Sequence, residues 1–498
     1  METNLARLAE SALERFGDYP SLFCAGSWFS STELHARGAR VGAGLGAAGV
    51  GPGDRVVVIM ANCPEVGIVY HALWRAGAVI TPVVFLVTPP ELRHIIADSG
   101  AVAVVTTPEL APKVAAAQDD AAHVVPVFVV GENFAQLESC DPGPIVERSP
   151  DDLAALMYTG GTTGRSKGVA LSHANLSNAG ASSRSVSHVP GLVRGITALP
   201  LSHSFGLLVT VGGLHTPEPT ISILQRWFEP TEWLRLAAEH GAQTTAVVPS
   251  MLAILLGQPL EDYDLSALEF VFSGAAPLSA AVAAEFERRV PSATVLEGYG
   301  CTETGGIISS SPPRAPRRGT VGKPVPGVTV RIVGPDGRDV PTGEDGEIVV
   351  RGANVMAHYW GANPMPDGWF STGDVGRFDA DGYLTIVDRI KDLILRGGFN
   401  VYPRDVEDAL MTHQAVAMAA VVGRPDDRLG EEVVAFVSLA DGGEVSTDEL
   451  VAYARDRLGA HKYPREVHIV DAIPLTSVGK LDRKRLRATV STPTQASA

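Results

Sequence analysis

The sequence predicts an α/β protein: a large N-terminal domain of stacked α/β layers that carries a small β-barrel-like subdomain, followed by a small α+β C-terminal domain. Three observations predict this. Apolar runs of strand length alternate with helical segments through the first part of the chain. Near Val328 the texture changes to short β runs divided by turn signals, and near Asp388 it changes again to a mixed α/β stretch.

In order along the chain, RVVVIM (55–60) precedes the helical EVGIVYHALWRAG (65–77), and VITPVV, AVAVVTT, HVVPVFVV, ITALPL, TTAVVPS and LEFVFSG follow as further strand-like runs. Short apolar runs separated by helices argue for parallel sheets covered on both faces. VTVRIVGPDGRDVPTGEDGEIVVRG (328–352) has turn signals at Pro335-Asp336-Gly337 and Asp345-Gly346 and suits a small antiparallel or barrel-like subdomain. In STDELVAYARDRLG (446–459), Ser446 and Glu449 have capping-box spacing and Gly459 a C-cap position. The expected divisions are an N-terminal domain 1–387 with its β-rich part at about 328–387, a junction at 388–391, a C-terminal domain 392–490 and a polar, disordered tail 491–498.

At 498 residues the chain is too long for one core, and 45% hydrophobic with 19% charged residues is an ordinary globular composition. A net charge of −16 argues against a nucleic-acid or anionic-membrane surface, so any phosphate must be held by local donors. Cys24, Cys63, Cys140 and Cys301 lie far apart, which disfavours both a disulfide framework and a zinc site. No stretch of eighteen apolar residues occurs, and the opening METNLARLAESALERFGDYP carries acids without a long apolar run. The expectation is a cytoplasmic protein without a membrane span, with a homodimer left open.

MYTGGTTGRSKGV (157–169) packs four glycines, three threonines and two basic side chains into thirteen positions directly after an apolar run. Glycines let backbone N–H groups approach an anion, the hydroxyls of Thr159, Thr162 and Thr163 donate further, and Lys167 adds a point charge. It is not a Walker loop, because Gly164 is followed by Arg165 and Ser166 before Lys167. Alone, the loop indicates anion binding and does not choose among a nucleotide, sulfate or nothing.

Four other stretches bear on the choice: PLSHSFG (200–206), EGYGCTETGG (297–306), GWFSTGDVGRFDADGYLTIVDRIKDLILRGGFNVYPRDVE (368–407) and PLTSVGKLDRKRL (474–486). With the loop, they resemble the adenylate-forming superfamily of acyl-CoA synthetases, peptide-synthetase adenylation domains and luciferases, over about residues 30–488. The resemblance implies an ATP-dependent acid–thiol ligase. A carboxylate attacks the α-phosphate of ATP, pyrophosphate leaves, and a thiol then takes the acyl group. ATP, Mg2+ and coenzyme A are the implied cofactors, and a small carboxylic acid the substrate.

Residue by residue, the resemblance gives Thr159, Gly160, Gly161, Thr162, Thr163, Gly164 and Lys167 to the β- and γ-phosphates. Glu303 goes to the magnesium ion, a hard cation that favours carboxylate and phosphate oxygens. Tyr299 would stack on adenine against Gly274, Ala275 and Ala276, with Gly300 and Thr302 in the same motif, and Asp374 would accept the ribose hydroxyls beside Arg389. Lys480 would neutralise the charge developing as the carboxylate attacks phosphorus. Lys391 falls at a hinge about which a mobile C-terminal domain turns, and Gly397 and Gly398 would line the pantetheine tunnel. Taken singly, each of these has an ordinary explanation: a lone lysine on a loop is usually surface charge, and TGD is a turn signature.

Two departures fall in the loop, where the family often has serine at Gly160 and proline at Ser166. PLSHSFG has Ser202 before His203 where phenylalanine is more usual. The region shows no acid to pair with a substrate amine, and no cation for a second carboxylate is evident around Val247–Leu255 or Gly298–Ile308. His203, Leu207, Gly212, Gly213, Gly305, Gly306 and Ile307, with Leu208, Val209 and Ile308, instead suggest a roomy apolar pocket for a long-chain, aryl or polycyclic acid. The alternatives are an adenylate-forming enzyme that delivers to a carrier protein or performs one half-reaction, and a catalytically silent binding protein.

Overall fold

The structure is a computed structural model that describes residues 2–159, 166–365, 367–440, 442–475 and 481–490. Its backbone divides into two compact units, one made of Met1–Val330 with Val350–Phe370 and the other of Arg331–Val349 with Ser371–Ala498. The division therefore runs through the β-rich stretch.

The first unit holds two layered sheets. One has six strands in the order Val127–Val129, Ala103–Thr106, Arg55–Ile59, Val79–Pro82, Leu153–Thr159 and Lys167–Ser172. The first five run parallel, and only the last pair is antiparallel. Val79–Pro82 is buried at every position, as the unbroken apolar run requires of a strand covered on both faces. The second sheet has nine strands, in the order Lys323–Pro324, Ser309–Ser310, Thr294–Tyr299, Phe270–Ser273, Thr244–Val247, Arg194–Thr197, Ile221–Leu224, Pro20–Cys24 and Ser27–Ser30. Its centre is parallel and its margins antiparallel. Trp233, Phe286, Leu252, Leu268 and Val271 fill the core beside it, each fully buried.

Local chemistry sets the helix ends around the site. Helix Pro89–Ser99 starts at a reciprocal capping box between Thr88 and Glu91, with proline at its first positions, and stops at left-handed Gly100. Helix His173–Ser187 begins directly after strand Lys167–Ser172, where Ser172 and Asn175 cap one another.

Phe370–Phe378 and Leu384–Arg389, which apart from Phe370 belong to the second unit, pair antiparallel within a four-stranded sheet whose other members are Val328–Val333 and Gly346–Gly352. A further sheet places Phe399–Val401, Ile394–Arg396, Gly430–Leu439 and Val416–Asp426 in that order, with Glu466–Ile469 beside Gly430–Leu439. It has its own core, including Ile394, Val406, Leu410, Val421, Val433 and Leu450. Among the described residues no helix is long and apolar enough to cross a membrane.

Candidate active site

The glycine-rich loop joins two hydrogen-bonded strands. Thr159 pairs with Lys167 at the open end of the antiparallel hairpin formed by Leu153–Thr159 and Lys167–Ser172. Gly160, Gly161, Thr162, Thr163 and Gly164 lie outside the described residues, as does Lys480. The ends of the loop are anchored from helix Pro89–Ser99: His94 Nε2 lies 3.0 Å from the Ser166 carbonyl, and the Tyr158 hydroxyl donates to Asp98 at 2.6 Å.

Glu303 sits on a compact turn at the end of strand Thr294–Tyr299. Thr302–Thr304 makes one 3-10 turn, Thr304 Oγ1 donates to the Cys301 carbonyl at 3.0 Å, and the Gly306 N–H returns to the same carbonyl at 2.9 Å. A β-carbon on Gly300 would lie 2.3 Å from the Gly306 carbonyl oxygen, so only glycine lets the turn fold back on Tyr299. Gly305 (φ +62°) and Gly306 (φ +95°) close it in the left-handed region.

The turn rests on helix Ser204–Gly213, where Ile307 packs with Leu208 and Ala179 in a small apolar cluster. His203 caps this helix, its Nδ1 accepting the Phe205 N–H at 3.2 Å, so the neutral ring carries its proton on Nε2. On the far side of the helix start, the Phe205 ring lies against Gly274, whose added β-carbon would stand 3.3 Å from the ring edge. Ala275 is left-handed (φ +69°), a strained conformation for a residue with a side chain. Leu207 and Gly212 are buried, whereas Gly213 is exposed at the helix end.

One segment that the sequence did not single out stitches these parts together. Asn354, 1% exposed, donates to the carbonyls of Thr304 (2.8 Å) and Ile307 (2.7 Å). The Met356 N–H donates to the Glu303 carbonyl at 2.8 Å, and the Tyr359 hydroxyl to Glu303 Oε1 at 2.8 Å. Burial raises the Tyr359 phenol, with the Glu303 charge adding to it, so the group stays a donor. The Lys167 ammonium stands 5.6 Å from the centre of the same ring, a cation–π distance. Tyr359 bridges to Val169, and the Trp360 N–H donates to the Gly168 carbonyl at 2.7 Å, covering the outer strand of the hairpin. Within the first unit, Tyr359 thus bridges Lys167 and Glu303, and the turn that carries Glu303 rests on the helix that His203 caps and whose Phe205 lies beside Gly274.

The second unit holds the remaining described candidates. Asp374, 6% exposed, faces Arg389 across the strand pair, with Arg389 Nε 3.0 Å from its Oδ1. Lys391 stands on the 3-10 turn Ile390–Asp392, where partial desolvation, then the Arg389 charge, pull its amine below the usual lysine value. Gly397 (φ +58°) and Gly398 (φ +83°) form an exposed two-residue turn between Ile394–Arg396 and Phe399–Val401. Beneath this region Arg483 grips Glu407 through both carboxylate oxygens (2.7 and 2.8 Å), and Arg487 pairs with Asp392 at 2.8 Å.

The family model for AMP-binding enzymes matches residues 9–360, and that for the AMP-binding enzyme C-terminal domain matches residues 405–480. The chain belongs to the AMP-binding enzyme family. It is an AMP-forming acid–thiol ligase of the acyl-CoA synthetase type. Feruloyl-CoA synthase from Amycolatopsis is 38% identical over 470 residues, covering 93% of this chain and 94% of that one. The fatty acid–[acyl-carrier-protein] ligase ScoC of Streptomyces coeruleorubidus is 34% identical, covering 94% and 93%. ATP-bound MatB from Rhodopseudomonas palustris superposes with a TM-score of 0.88 at 33% identity, over 98% and 99% of the two chains.

At Ser166, where the resemblance implies a proline in many relatives, His94 holds the backbone carbonyl. Glu303 suits the magnesium site implied for AMP-binding enzymes. Among the described residues no cluster of three or more His, Cys, Asp or Glu could cage a metal, and Tyr359 is the one hydrogen-bond partner of its side chain. A lone carboxylate of this kind suits a cation that arrives on the nucleotide's own phosphates. Tyr359 and Asn354 escaped sequence reading because their partners lie far away in the chain. The signal available was an aromatic pair, Tyr359-Trp360, set directly before the turn-rich Gly-Ala-Asn-Pro.

Proposed function

We propose that the protein activates a hydrophobic carboxylic acid, an aryl acid in the first instance, as its acyl-adenylate and transfers it to coenzyme A. The observation that carries the substrate class is the absence of charge from the segments that approach the start of helix Ser204–Gly213. Helix Ser204–Gly213, Gly305–Ile308 and Gly274–Ala276 contain no ionisable side chain, so a polar or dianionic acid would be buried there without a partner. The 38% identity to a feruloyl-CoA synthase supports the aryl choice.

In the proposed reaction the loop 159–167 holds the β- and γ-phosphates, Lys167 by charge. Tyr299 and Gly274–Ala276 hold adenine, and Asp374 takes the ribose hydroxyls. A magnesium ion on the nucleotide, held through Glu303, would screen phosphate charge. His203 presents its Nε2 proton towards the acid's carboxylate, and Lys480 stabilises the negative charge that builds as carboxylate oxygen meets phosphorus. Rotation about Lys391 then replaces Lys480 with the Gly397–Gly398 turn, past which the thiol arm reaches the acyl carbon.

A second reading, delivery to a carrier-protein thiol, is favoured by the 34% identity to ScoC. Both are tested by mass spectrometry of products from an acid panel with ATP and magnesium, with coenzyme A, with a phosphopantetheinylated carrier protein, or with neither. Aryl-CoA formation is expected. Acyl transfer only to the carrier would establish the second reading, and pyrophosphate release with no acid would sink both.

A further inference from the structure

Tyr359 touches both charged groups that would flank the nucleotide's phosphates, yet its own side chain carries no charge to offer. Its hydroxyl donates to Glu303 Oε1 at 2.8 Å, and Lys167 stands 5.6 Å from its ring centre. The ring is not free to wander. Its backbone bridges Val169, the next residue's N–H donates to Gly168 at 2.7 Å, and the Trp360 indole donates to the Asp98 carbonyl at 3.0 Å. Glu303 is the opposite case: a flexible carboxylate on a single 3-10 turn, whose backbone is held by Met356 and whose side chain has no other hydrogen-bond partner among the described residues.

A tyrosine at such a place is often mere packing. Here its one polar atom is spent on Oε1 of the carboxylate, Oε2 having no hydrogen-bond partner among the described residues, and its own backbone is anchored to the hairpin that carries Lys167. We propose that Tyr359 is a positioning residue: it fixes the Glu303 carboxylate for a nucleotide-bound divalent cation and sets the distance between that carboxylate and Lys167. This rests on the reading of the site as an ATP site. Partners that orient a metal-binding carboxylate typically change metal affinity by about 10–100-fold.

The test is Tyr359→Phe, which keeps the ring, the backbone bridge and the Lys167 contact while deleting the hydroxyl. ATP binding is measured by calorimetry across a magnesium series, with no acid present. The expected result is a half-saturating magnesium concentration raised about 10-fold, with ATP affinity in the absence of magnesium and the melting temperature unchanged. Glu303→Gln, close in volume, should show the same shift, and combining the two should add nothing. Superimposable magnesium curves for wild type and Tyr359→Phe would overturn the inference, as would a loss of ATP affinity equal with and without magnesium. Calorimetry requires no turnover, so a wild type that binds magnesium-ATP but activates no acid counts against the proposed reaction alone.

Discussion

Gly306 approaches Ser204 so closely that a β-carbon on the glycine would lie 2.9 Å from the Ser204 carbonyl oxygen and 3.3 Å from Leu208 Cβ. At Gly305 the corresponding clash is with Ala179 Cβ at 2.8 Å. Both glycines are left-handed, so a side chain meets backbone strain as well as crowding. Gly306→Leu should therefore destabilise the protein by roughly 2–4 kcal/mol instead of simply narrowing the acid pocket. Thermal unfolding read beside the acid panel decides this. A stable variant that prefers smaller acids would show that the glycine faces substrate.

Asn354→Ala should cost roughly 2–4 kcal/mol, because it strips two buried carbonyls, those of Thr304 and Ile307, of their donor. The damage should be worst near Glu303. Urea unfolding gives the energy, and hydrogen exchange of the 301–308 peptide gives its location. Exchange spread evenly over the first unit would contradict a local role.

Alkylation should separate the cysteines. Burial pushes the Cys24 thiol up to about 11 and the Cys63 thiol up to about 12, so at pH 8 their thiolate fractions are on the order of 10⁻³ and 10⁻⁴. Cys140 and Cys301 are partly exposed and should react first with iodoacetamide. ATP with magnesium should slow Cys301 selectively, since it lies two positions from Glu303. Peptide mass spectrometry with and without nucleotide reads both effects, and equal protection of Cys140 would remove the site assignment.

Acid should loosen the start of the chain through His173. Its Nδ1 accepts the Leu5 N–H at 3.3 Å, and burial, then Arg148, pull the imidazole down to about 4, while Asp152 and Glu2 favour its protonation. Between pH 4 and about 6.5 the unfolded chain binds the extra proton and the folded chain does not, so stability rises with pH there and is lost as pH falls. The contribution is up to about 3 kcal/mol. Burial of Glu407 acts in the opposite sense, pushing its carboxyl up to about 7 against the pull of Arg483. The readout is therefore the difference between wild type and His173→Gln in urea midpoints at pH 5 and 7. A parallel pair of curves would exclude His173.

The two half-reactions should separate by mutation. Lys167→Ala and Lys480→Ala should depress adenylate formation, the latter about 10²-fold or more, while both still convert supplied acyl-adenylate to thioester. Gly398→Leu should do the reverse. A β-carbon there meets nothing within 4 Å, so the variant should fold, at a cost of about 1–2 kcal/mol for its positive φ. Single-turnover assays of each step with radiolabelled acid distinguish the patterns, and equal losses in both steps would undo the assignment.

The layered α/β architecture was legible because its strands are short apolar runs bounded by turn residues, as in Arg55–Ile59 and Val79–Pro82. The turn carrying Glu303 was legible as a motif, and its glycines proved to be sites of close approach: Gly300 against Gly306, Gly306 against Ser204. What could not be read was anything that depends on pairing across the chain. Asn354 and Tyr359 look like ordinary loop residues until the fold brings Thr304 and Glu303 to them. Gly212 and Gly213 were read as a pair, but a helix turns successive residues by about 100°, which buries one and exposes the other.

The Trp360 indole reaches the carbonyl of Asp98 over 262 residues of sequence, and Tyr359 closes on Val169 from a similarly distant part of the chain. Strand Lys167–Ser172 is the last in its sheet, so during synthesis its outer edge stays bare until the ribosome has delivered residue 360. At about 5–20 residues per second that wait is roughly 10–40 s, long enough for an unpaired strand edge to find another nascent chain. Production of this enzyme should therefore be limited by chaperone supply and translation rate more than by the stability of the finished fold, and a product ended before residue 353 should aggregate through that edge.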